Sequence, residues 1–347
     1  MKAPLTYGSS GVDLDAAREV VGRIRPIAAS TATPSVLGSI GGFAALYELD
    51  LRRWRRPVLV SSTDGVGTKM AVARMAGRLD TVGVDLVAMC VDDVVCAGAE
   101  PLFLLDYLVT GRIDPDKVAA IVRGIASGCR IAGCALVGGE TAEHRGEMLD
   151  DAFDLAGCAV GVVEHGGALG AHRVRRGDAI LGLESPGLRS NGYTLARRAL
   201  IAQGGLSLDG PAWPGAERTL GEVLLEPSVI YAPSVLGALS AVQGAVHACA
   251  HVTGGGLDEN LQRVLPKTAD ALIETGSWRV PEIFSLIAVL GGVEEAEMAR
   301  AFNLGIGMVM VVEAAQADEV ASVVGSFGVG VTRIGSITEG TGRVGRI

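Results

Sequence analysis

The chain has 347 residues, which is more than one ordinary hydrophobic core requires and predicts about two domains. Its formal charge of −9 repels a phosphate backbone, and aromatic residues make up only 4%, so few side chains can stack on bases. We therefore expect no nucleic-acid partner, and because no apolar run approaches the ~20 residues that cross a bilayer, no membrane partner either.

The first half alternates between helical and strand patterns. Helices are predicted over Leu14–Ile27, Lys69–Ala76, Thr81–Ala97 and Pro115–Ala132, and strands over Pro57–Ser62, Leu102–Val109, Cys134–Val137 and Phe153–Val163. A loop rich in Gly and Arg, His165–Gly177, then predicts a boundary between domains 1–167 and 168–347.

The second half repeats the same kinds of element. Strands are predicted over Ala179–Leu183, Ala245–Val252, Leu304–Val312 and Thr332–Ile337, and helices over Gly192–Ala202, Leu220–Leu239, Gly256–Val264, Pro281–Ala301 and Ala315–Phe327. The last eight residues are expected to be loose. Both halves mix strands and helices, so the fold class is α/β or α+β with two lobes.

Six cysteines lie within apolar segments and form no Cys-x-x-Cys pair. Buried free thiols of this kind are typical of a reducing compartment. No segment combines a basic start with a long apolar run, as a secretory signal does. A cytoplasmic protein is expected.

The segment Ser61-Ser62-Thr63-Asp64-Gly65-Val66-Gly67-Thr68-Lys69 lies between a predicted strand and a predicted helix. Its glycines let backbone N–H groups turn toward an anion, and Lys69 would supply a mobile positive charge. Asp64 suits such a site if Mg²⁺ lies between carboxylate and phosphate oxygens. The alternative is a plain Asp-Gly turn beside an exposed lysine, and the segment alone does not decide between them.

Three carboxylates, Asp85, Asp92 and Asp93, lie in the apolar helical pattern that follows. Residues seven apart share a helix face, so Asp85 and Asp92 point the same way. Carboxylates facing a core need a counter-charge, and a bound cation, a lysine or an arginine is therefore expected nearby. The alternative is that they cap the helix or face solvent.

Three further glycine-rich segments follow predicted strands or open predicted helices. Gly138-Gly139-Glu140-Thr141-Ala142-Glu143 carries acidic residues that suit a metal-bridged phosphate. His251-Val252-Thr253-Gly254-Gly255-Gly256 has no carboxylate before Asp258 and indicates a direct anion site. Ser190-Asn191-Gly192-Tyr193 also starts a helix, with Arg189 upstream as an anion partner. Together these segments predict a nucleotide on the first lobe and a phosphorylated small molecule toward the second.

Two other patterns are set aside. Gly340-x-Gly342-x-x-Gly345 matches a dinucleotide fingerprint, but no helix follows it to receive a pyrophosphate. His247 and His251 have the spacing of two metal ligands on a helix, yet their segment is predicted to be a strand, which holds them ~13 Å apart.

At these segments the chain resembles the phosphoribosylformylglycinamidine cyclo-ligase family, also called the aminoimidazole ribonucleotide synthetases. The resemblance runs from Gly11-Val12-Asp13 to about Gly335. It includes the segments quoted above together with Gly41-Gly42-Phe43, Gly83–Met89, Gly98–Phe103 and Phe302–Met308. Each glycine-rich segment alone is weak evidence for the family, whereas so many segments in the same order are specific evidence for it.

The resemblance implies an ATP-dependent cyclisation of formylglycinamidine ribonucleotide to aminoimidazole ribonucleotide, with release of ADP and phosphate, in purine biosynthesis. It also implies a two-lobed fold whose N-terminal lobe forms a β-barrel-like homodimer interface, with ATP nearby. The matching motifs imply that Asp64, Asp93 and Glu140 are ligands of Mg²⁺. The same matching implies that ATP and its phosphates are bound by Asp64, Gly65, Gly67, Thr68, Lys69, Gly138, Gly139 and Thr141.

The same matching assigns the substrate to the second lobe. Substrate contacts fall to Ser190, Asn191, Thr253, Gly254, Gly255 and Gly256, and catalytic roles to His251, Asn191 and Arg189. Because an arginine does not give up its proton at neutral pH, Arg189 would hold phosphate or the leaving group, and His251 or Asn191 would assist proton transfer.

Several positions depart from the family pattern. Asp92 stands where Asn is common, Arg189 where His is expected, Arg25 where Lys is familiar, and His144-Arg145 where Met-Pro is frequent. These departures leave the predicted activity standing. One alternative is another ATP-using enzyme of the same superfamily. The other is a non-catalytic nucleotide-binding paralogue that regulates a partner, for which Arg189 and Arg145 are the only support.

Overall fold

The computed structural model describes residues 5–7, 10 and 13–347, so Gly11 and Val12 of the first matching motif lie outside the described residues. In the N-terminal half, strands and helices alternate largely as the pattern predicts. The elements are α1 Leu14–Ala29, β1 Val36–Leu37, β2 Leu46–Tyr47, β3 Pro57–Gly65, α2 Lys69–Ala76, α3 Val82–Cys96, β4 Glu100–Thr110, α4 Pro115–Ala132, β5 Ala135–Glu143 and β6 Phe153–Glu164.

The C-terminal half begins with β7 and ends with β12. Its elements are β7 Ala179–Glu184, α5 Tyr193–Arg197 with a π-helical turn Arg198–Gln203, α6 Leu220–Leu224, α7 Ala232–Ala241, β8 Val246–His251, α8 Gly256–Gln262, β9 Ala269–Ile273, α9 Glu282–Gly291, α10 Glu295–Ala301, β10 Ile306–Val312, a 3₁₀ turn Ala314–Gln316, α11 Ala317–Ser326, β11 Val331–Glu339 and β12 Val344–Arg346.

Each half has its own main sheet. The N-terminal sheet has the strand order β3-β6-β4-β5, in which β4 and β5 are parallel and the other pairs antiparallel. The C-terminal sheet has the order β12-β9-β11-β7-β10-β8. The mixed α/β fold with two lobes is thereby confirmed. Within the described ranges the four-stranded sheet is open and does not close into a barrel by itself.

Helix α3 connects the two halves. It packs against β3, β6 and α4 of the N-terminal half and also against β8 and α7 of the C-terminal half. Glycines allow its close crossing with α4, since a Cβ on Gly83 would lie 2.5 Å from the Ile121 carbonyl oxygen. All but three of its residues are buried, and they include two aspartates, which places charged groups inside the molecule.

The open face of the N-terminal sheet is apolar. Cross-strand neighbours on β4 and β6 place Phe103 beside Val160 and Leu105 beside Cys158, while Leu59 and Tyr107 are 66% and 42% exposed. Helices α3 and α4 lie against the sheet, yet these side chains remain at least partly open to solvent. We call the outward-facing side of this sheet, with Leu59, Phe103, Leu105, Tyr107 and Val160, the open face.

Three sequence predictions are corrected. The glycine-rich Thr63–Gly65 and Gly138–Glu143 belong to strands β3 and β5, because pairing with β6 and β4 satisfies their backbone groups. The final residues are not loose: β12 pairs in parallel with β9, a strand the pattern did not reveal. No helix follows Gly345, as expected when the dinucleotide motif was set aside.

No helix in the part of the chain that the structure describes is long and apolar enough to span a bilayer.

Candidate functional site

The end of β3 carries the first candidate metal ligand. Asp64 is half-buried, and one of its carboxylate oxygens accepts a hydrogen bond from the Gly65 N–H at 2.7 Å. Burial raises the pKa of Asp64, the Gly65 hydrogen bond opposes the rise, and the negative charge of Asp93 adds to it. Ser62, two residues earlier on the same face of β3, donates to Asp93 at 2.9 Å. Strand β3 and helix α3 therefore bring two carboxylates together.

The first buried ion pair of the site joins Lys69 and Asp85. The Lys69 ammonium lies 2.8 and 2.7 Å from the two oxygens of Asp85 and donates to the Glu226 carbonyl at 2.7 Å. Both side chains are completely buried, and Ser228 donates to Asp85 through its N–H and its hydroxyl. Burial lowers the pKa of Lys69, although the charge of Asp85 opposes this. The prediction of a mobile, phosphate-facing lysine is corrected, because its ammonium is enclosed by protein partners.

A second buried ion pair joins Asp92 to Arg189 across the two halves. Arg189 Nη2 lies 2.7 Å from Asp92 Oδ2, and Nη1 donates to the Val229 carbonyl at 2.7 Å. The Tyr231 N–H donates to the other Asp92 oxygen at 2.8 Å. Burial raises the pKa of Asp92, and the positive charge of Arg189 opposes the rise.

The backbone at Arg189 is unusual. Its φ is +63°, a left-handed backbone conformation that residues other than glycine rarely adopt. Its side chain is only 1% exposed. The guanidinium also lies over the Tyr231 ring, 4.8 Å from the centroid. The predicted role as a phosphate ligand is corrected, since this side chain points into the molecule rather than toward an open site.

His251 lies between Arg189 and Asp93. Its Nδ1 is 2.9 Å from Asp93 Oδ1, and its Nε2 is 3.0 Å from Arg189 Nη2. An arginine can only donate, so Nε2 must be the acceptor and Nδ1 carries the proton. Both ring nitrogens are occupied by protein groups in this arrangement. The expected counter-charges for Asp85 and Asp92 are thus confirmed as Lys69 and Arg189, whereas Asp93 accepts a hydrogen bond from His251.

The loops that carry Gly67, Ser190–Asn191 and Gly254 lie next to one another, and a Cβ on Gly254 would lie 3.9 Å from Asn191 Nδ2. Thr68 and Thr194 hydroxyls lie 3.0 Å apart, and a Cβ on Gly67 would lie 3.6 Å from the Ser190 carbonyl oxygen. The hydroxyl of Ser190 and the side-chain oxygen of Asn191 are buried without a hydrogen-bond partner among the described residues. Buried polar atoms of this kind are costly unless a ligand or water satisfies them.

The loop Thr253–Gly256 is held by a residue that the sequence analysis missed. The side-chain amide of Asn260 donates to the carbonyls of Thr253, Gly254 and Gly256 at 3.4, 3.1 and 2.8 Å. Gly256 has a φ of +68°, and a Cβ there would lie 1.8 Å from the Ala299 carbonyl oxygen. The loop is therefore built on glycine and fixed from within. A buried Asn four residues into a Gly-started helix was the available signal.

Glu140 does not join Asp64 and Asp93. In register, Gly65 lies opposite Ala156, Ala156 opposite Tyr107, and Tyr107 opposite Glu140, so Glu140 and Gly65 are three strand spacings apart. This separation is about 14 Å at the usual strand spacing. Among residues 13–347, no group of three or more His, Cys, Asp or Glu side chains is arranged to hold one metal ion. Glu140 therefore does not share one ion with Asp64 and Asp93, and its predicted ligation of Mg²⁺ stays a prediction.

Gly138, Gly139 and Thr141 instead line a separate cavity of about 260 Å³ beside α1, together with Glu140 and Asp106. Asp106 was missed by the sequence analysis. A Cβ on Gly139 would lie 2.2 Å from a carboxylate oxygen of Asp106, so only glycine fits there. Burial raises the pKa of Asp106 to about 7. The signal in the sequence for Asp106 was a single acidic residue inside the predicted apolar strand Leu102–Val109.

Comparison with known proteins agrees with this arrangement. The description "AIR synthase related protein, N-terminal domain" matches residues 41–163, and the corresponding C-terminal domain matches residues 175–347. A phosphoribosylformylglycinamidine cyclo-ligase from Trichlorobacter lovleyi is 48% identical over 336 residues, which are 97% of this chain and 95% of that protein. The chain belongs to the phosphoribosylformylglycinamidine cyclo-ligase family. The predicted family and the prediction of an enzyme are confirmed.

Solved structures share the fold of this family member at lower identity. The thiamine-monophosphate kinase of Stenotrophomonas maltophilia K279a is 22% identical with a TM-score of 0.66, covering 94% of this chain and 95% of its own. The hydrogenase maturation protein HypE, solved in complex with ATP, is 21% identical with a TM-score of 0.68, covering 98% and 92%. At these identities the likeness shows the fold alone.

Two departures from the family pattern prove to be neighbours. Asp92, where Asn is common, and Arg189, where His is expected, form the ion pair described above. His144 and Arg145 lie apart from it, and Arg145 is within 3.5 Å of Glu143 and of Asp150. The aspartate and the arginine at these two positions therefore neutralise each other inside the molecule.

Proposed function

We propose that the chain catalyses the ATP-dependent closure of the imidazole ring, converting formylglycinamidine ribonucleotide to aminoimidazole ribonucleotide, ADP and phosphate. The formyl oxygen takes the terminal phosphoryl group of ATP, the amidine nitrogen attacks the same carbon, and the C–O bond to phosphate breaks. Alignment and neutralisation of charge are what the protein must supply. The observation that carries the proposal is the meeting of the Asp64–Asp93 pair with the Ser190–Asn191 and Thr253–Gly256 loops.

Asp64 and Asp93 fit Mg²⁺, which binds through one or two carboxylates plus phosphate oxygens and water. Their fit follows from their proximity, because the negative charge of Asp93 adds to the raised pKa of Asp64 and makes Asp64 more costly to keep negative without a cation. Bound there, Mg²⁺ would neutralise charge on the transferring phosphoryl group. Thr68 and the amide of Gly67 are proposed to bind the ATP phosphates beside Asp64 and Gly65. Gly138, Gly139, Glu140 and Thr141 are proposed to bind another part of the nucleotide.

The substrate is proposed to lie against the C-terminal half. Ser190 and Asn191 offer buried polar atoms that lack protein partners, which a ligand would satisfy. The Thr253–Gly256 loop would hold the ribose phosphate through Thr253 and Gly254, since the N–H groups of Gly255 and Gly256 donate to the Arg300 and Thr253 carbonyls. We propose that the domains are residues 1–167 and 168–347, and that the protein works in the cytoplasm, where its six free cysteines would stay reduced.

The open face of the N-terminal sheet is proposed to bind a second copy of the chain. Its apolar side chains, including Leu59 and Tyr107, are exposed on a strand surface that would otherwise contact water. Leu59→Lys should shift the protein from dimer to monomer in sedimentation velocity. An exposed apolar residue away from this face, Val289, provides the control as Val289→Lys. A dimer that survives Leu59→Lys with unchanged affinity contradicts this interface.

The activity is tested with the purified protein, ATP, Mg²⁺ and formylglycinamidine ribonucleotide. ADP release that requires the ribonucleotide, with one aminoimidazole ribonucleotide formed per ADP, supports the cyclo-ligase reaction. Saturable ATP binding without turnover would instead indicate a regulatory nucleotide-binding protein. ADP release that requires a different phosphate acceptor would indicate another enzyme of the superfamily.

A further inference from the structure

Asp92, Arg189, His251 and Asp93 form one continuous chain of contacts. Asp92 contacts Arg189 at 2.7 Å, Arg189 contacts His251 at 3.0 Å, and His251 contacts Asp93 at 2.9 Å. The series of contacts begins and ends on α3 in the N-terminal half and passes through two residues of the C-terminal half, so it crosses between the halves twice. We call these four residues the interdomain relay.

Exposure changes sharply along the interdomain relay. The side chain of Asp92 is completely buried, and those of Arg189 and His251 are 1% and 3% exposed, whereas that of Asp93 is 41% exposed. Only the Asp93 end can therefore meet a ligand. The buried end has no access to substrate, so its role must act through the residues in between.

The relay also fixes hydrogen-bond direction. Asp92 can only accept from Arg189, and Arg189 can only donate to His251, so Nε2 of His251 must be unprotonated. The proton on Nδ1 then points at Asp93 Oδ1, while Ser62 donates to Asp93 Oδ2. Both oxygens of Asp93 thus receive a hydrogen bond from a fixed direction, which orients the carboxylate as outer partners orient a metal ligand.

We propose that Arg189 and Asp92 are a matched pair of positioning residues that fix the tautomer of His251 and, through it, the orientation of Asp93. Each member is tolerated because the other is present. Removal of one charge leaves the other buried without a counter-charge, which destabilises a protein far more than removal of both. The role of Asp93 in catalysis rests on the proposed function, whereas the pairing and the tautomer do not.

A double-mutant cycle tests the pairing. Asp92→Asn and Arg189→His should each lower the midpoint of thermal unfolding by roughly 5–10 °C, and the double variant should recover at least half of that loss. The matched control is the exposed pair Arg176–Glu339, whose side chains are 75% and 80% exposed. There Arg176→His and Glu339→Gln should show no coupling. Additive losses at Asp92 and Arg189 would overturn the proposal, as would a double variant that unfolds when the singles do not.

The kinetics separate positioning from phosphate binding. The single variants should lower kcat about 10- to 100-fold with KM for the ribonucleotide within threefold, and the double variant should regain part of kcat. A phosphate ligand at Arg189 would give the opposite result, a KM raised more than tenfold with an unchanged unfolding midpoint. That result would overturn the proposal.

The tautomer is measured on the unaltered protein, so the test does not depend on variants that fold. ¹⁵N NMR of the histidine rings, with His251 assigned from the His251→Gln variant, should show a proton on Nδ1 and none on Nε2. A proton on Nε2 would overturn the proposal, because Arg189 could not then donate to it. The thermal and NMR results need no turnover, so they would stand even if the ribonucleotide proved not to be the substrate.

Discussion

The Lys69–Asp85 pair and the Asp64–Asp93 pair are built from the same part of the chain and differ in what surrounds their charges. Asp85 and Asp93 lie on the same helix, α3, but the first is completely buried and the second is 41% exposed. Asp85 has a lysine and two Ser228 donors, whereas Asp93 has His251 and Ser62, with another carboxylate nearby.

The difference shows how a single residue type takes two roles. Asp85 is completely buried, with the Lys69 ammonium and both Ser228 donors against it, so it stabilises the contact between the two halves. Two half-open carboxylates side by side repel each other, and a divalent cation is the partner that relieves this. Burial beside a counter-charge, more than the residue itself, separates the structural acid from the functional one.

Asp64→Asn tests the open pair and should have the largest effect. We expect turnover to fall at least 100-fold, because the proposed metal site loses one of its two carboxylates. Stability at pH 8 should be unchanged or higher, since burial raises the pKa of Asp64 and its negative form is disfavoured in the fold. Steady-state kinetics and urea unfolding check both parts, and near-normal turnover would contradict the assignment.

Lys69→Met tests the closed pair and should act on stability. It leaves Asp85 buried without a counter-charge, which costs about 3–5 kcal/mol of unfolding free energy. The double variant with Asp85→Asn should recover part of this loss. Urea unfolding measures the free energies, and ATP affinity is measured on the folded fraction. If Lys69→Met kept its stability and lost ATP affinity instead, the lysine would be a phosphate ligand after all.

Asp106 gives an intermediate case, a carboxyl in a cavity whose pKa burial raises to about 7. A folded pKa above the usual ~3.9 means that the protonated form is favoured, so stability falls as pH rises from about 4 through 7. Between pH 5 and 8 the protein should lose roughly 2–3 kcal/mol relative to Asp106→Asn. Urea unfolding at both pH values measures this, and parallel pH profiles of the two proteins would contradict the raised pKa.

Arg176→Gln should have the smallest effect and provides the solvent-exposed reference. Its partner Glu339 and its own side chain are both more than 70% exposed. Exposed pairs contribute little because water and salt screen them. We expect the thermal unfolding midpoint to change by less than about 1 °C, and a shift comparable to that of Lys69→Met would show that exposure does not separate these pairs.

Much of the fold was predictable because its elements have local signals. Helix α4 begins with Asp114 as cap and Pro115 in its first turn and ends at Gly133 in a left-handed conformation. Strands β3, β6 and β10 read as apolar runs. In contrast, β9 and β12 are short and pair only with each other and with distant β11, so nothing local marked them.

The sequence by itself determined the family, the α/β class and the segments that form the site, because ordered glycine-rich motifs and apolar periodicity are properties of the chain in one dimension. Only the tertiary structure decided that Lys69 is enclosed, that Glu140 lies three strands from Gly65, and that Asp92 and Arg189 neutralise each other. The physical reason is that the protonation, orientation and availability of a charged group depend on its neighbours in space. Arg189 and Asp92 are separated by 97 positions in the chain and by 2.7 Å in the fold.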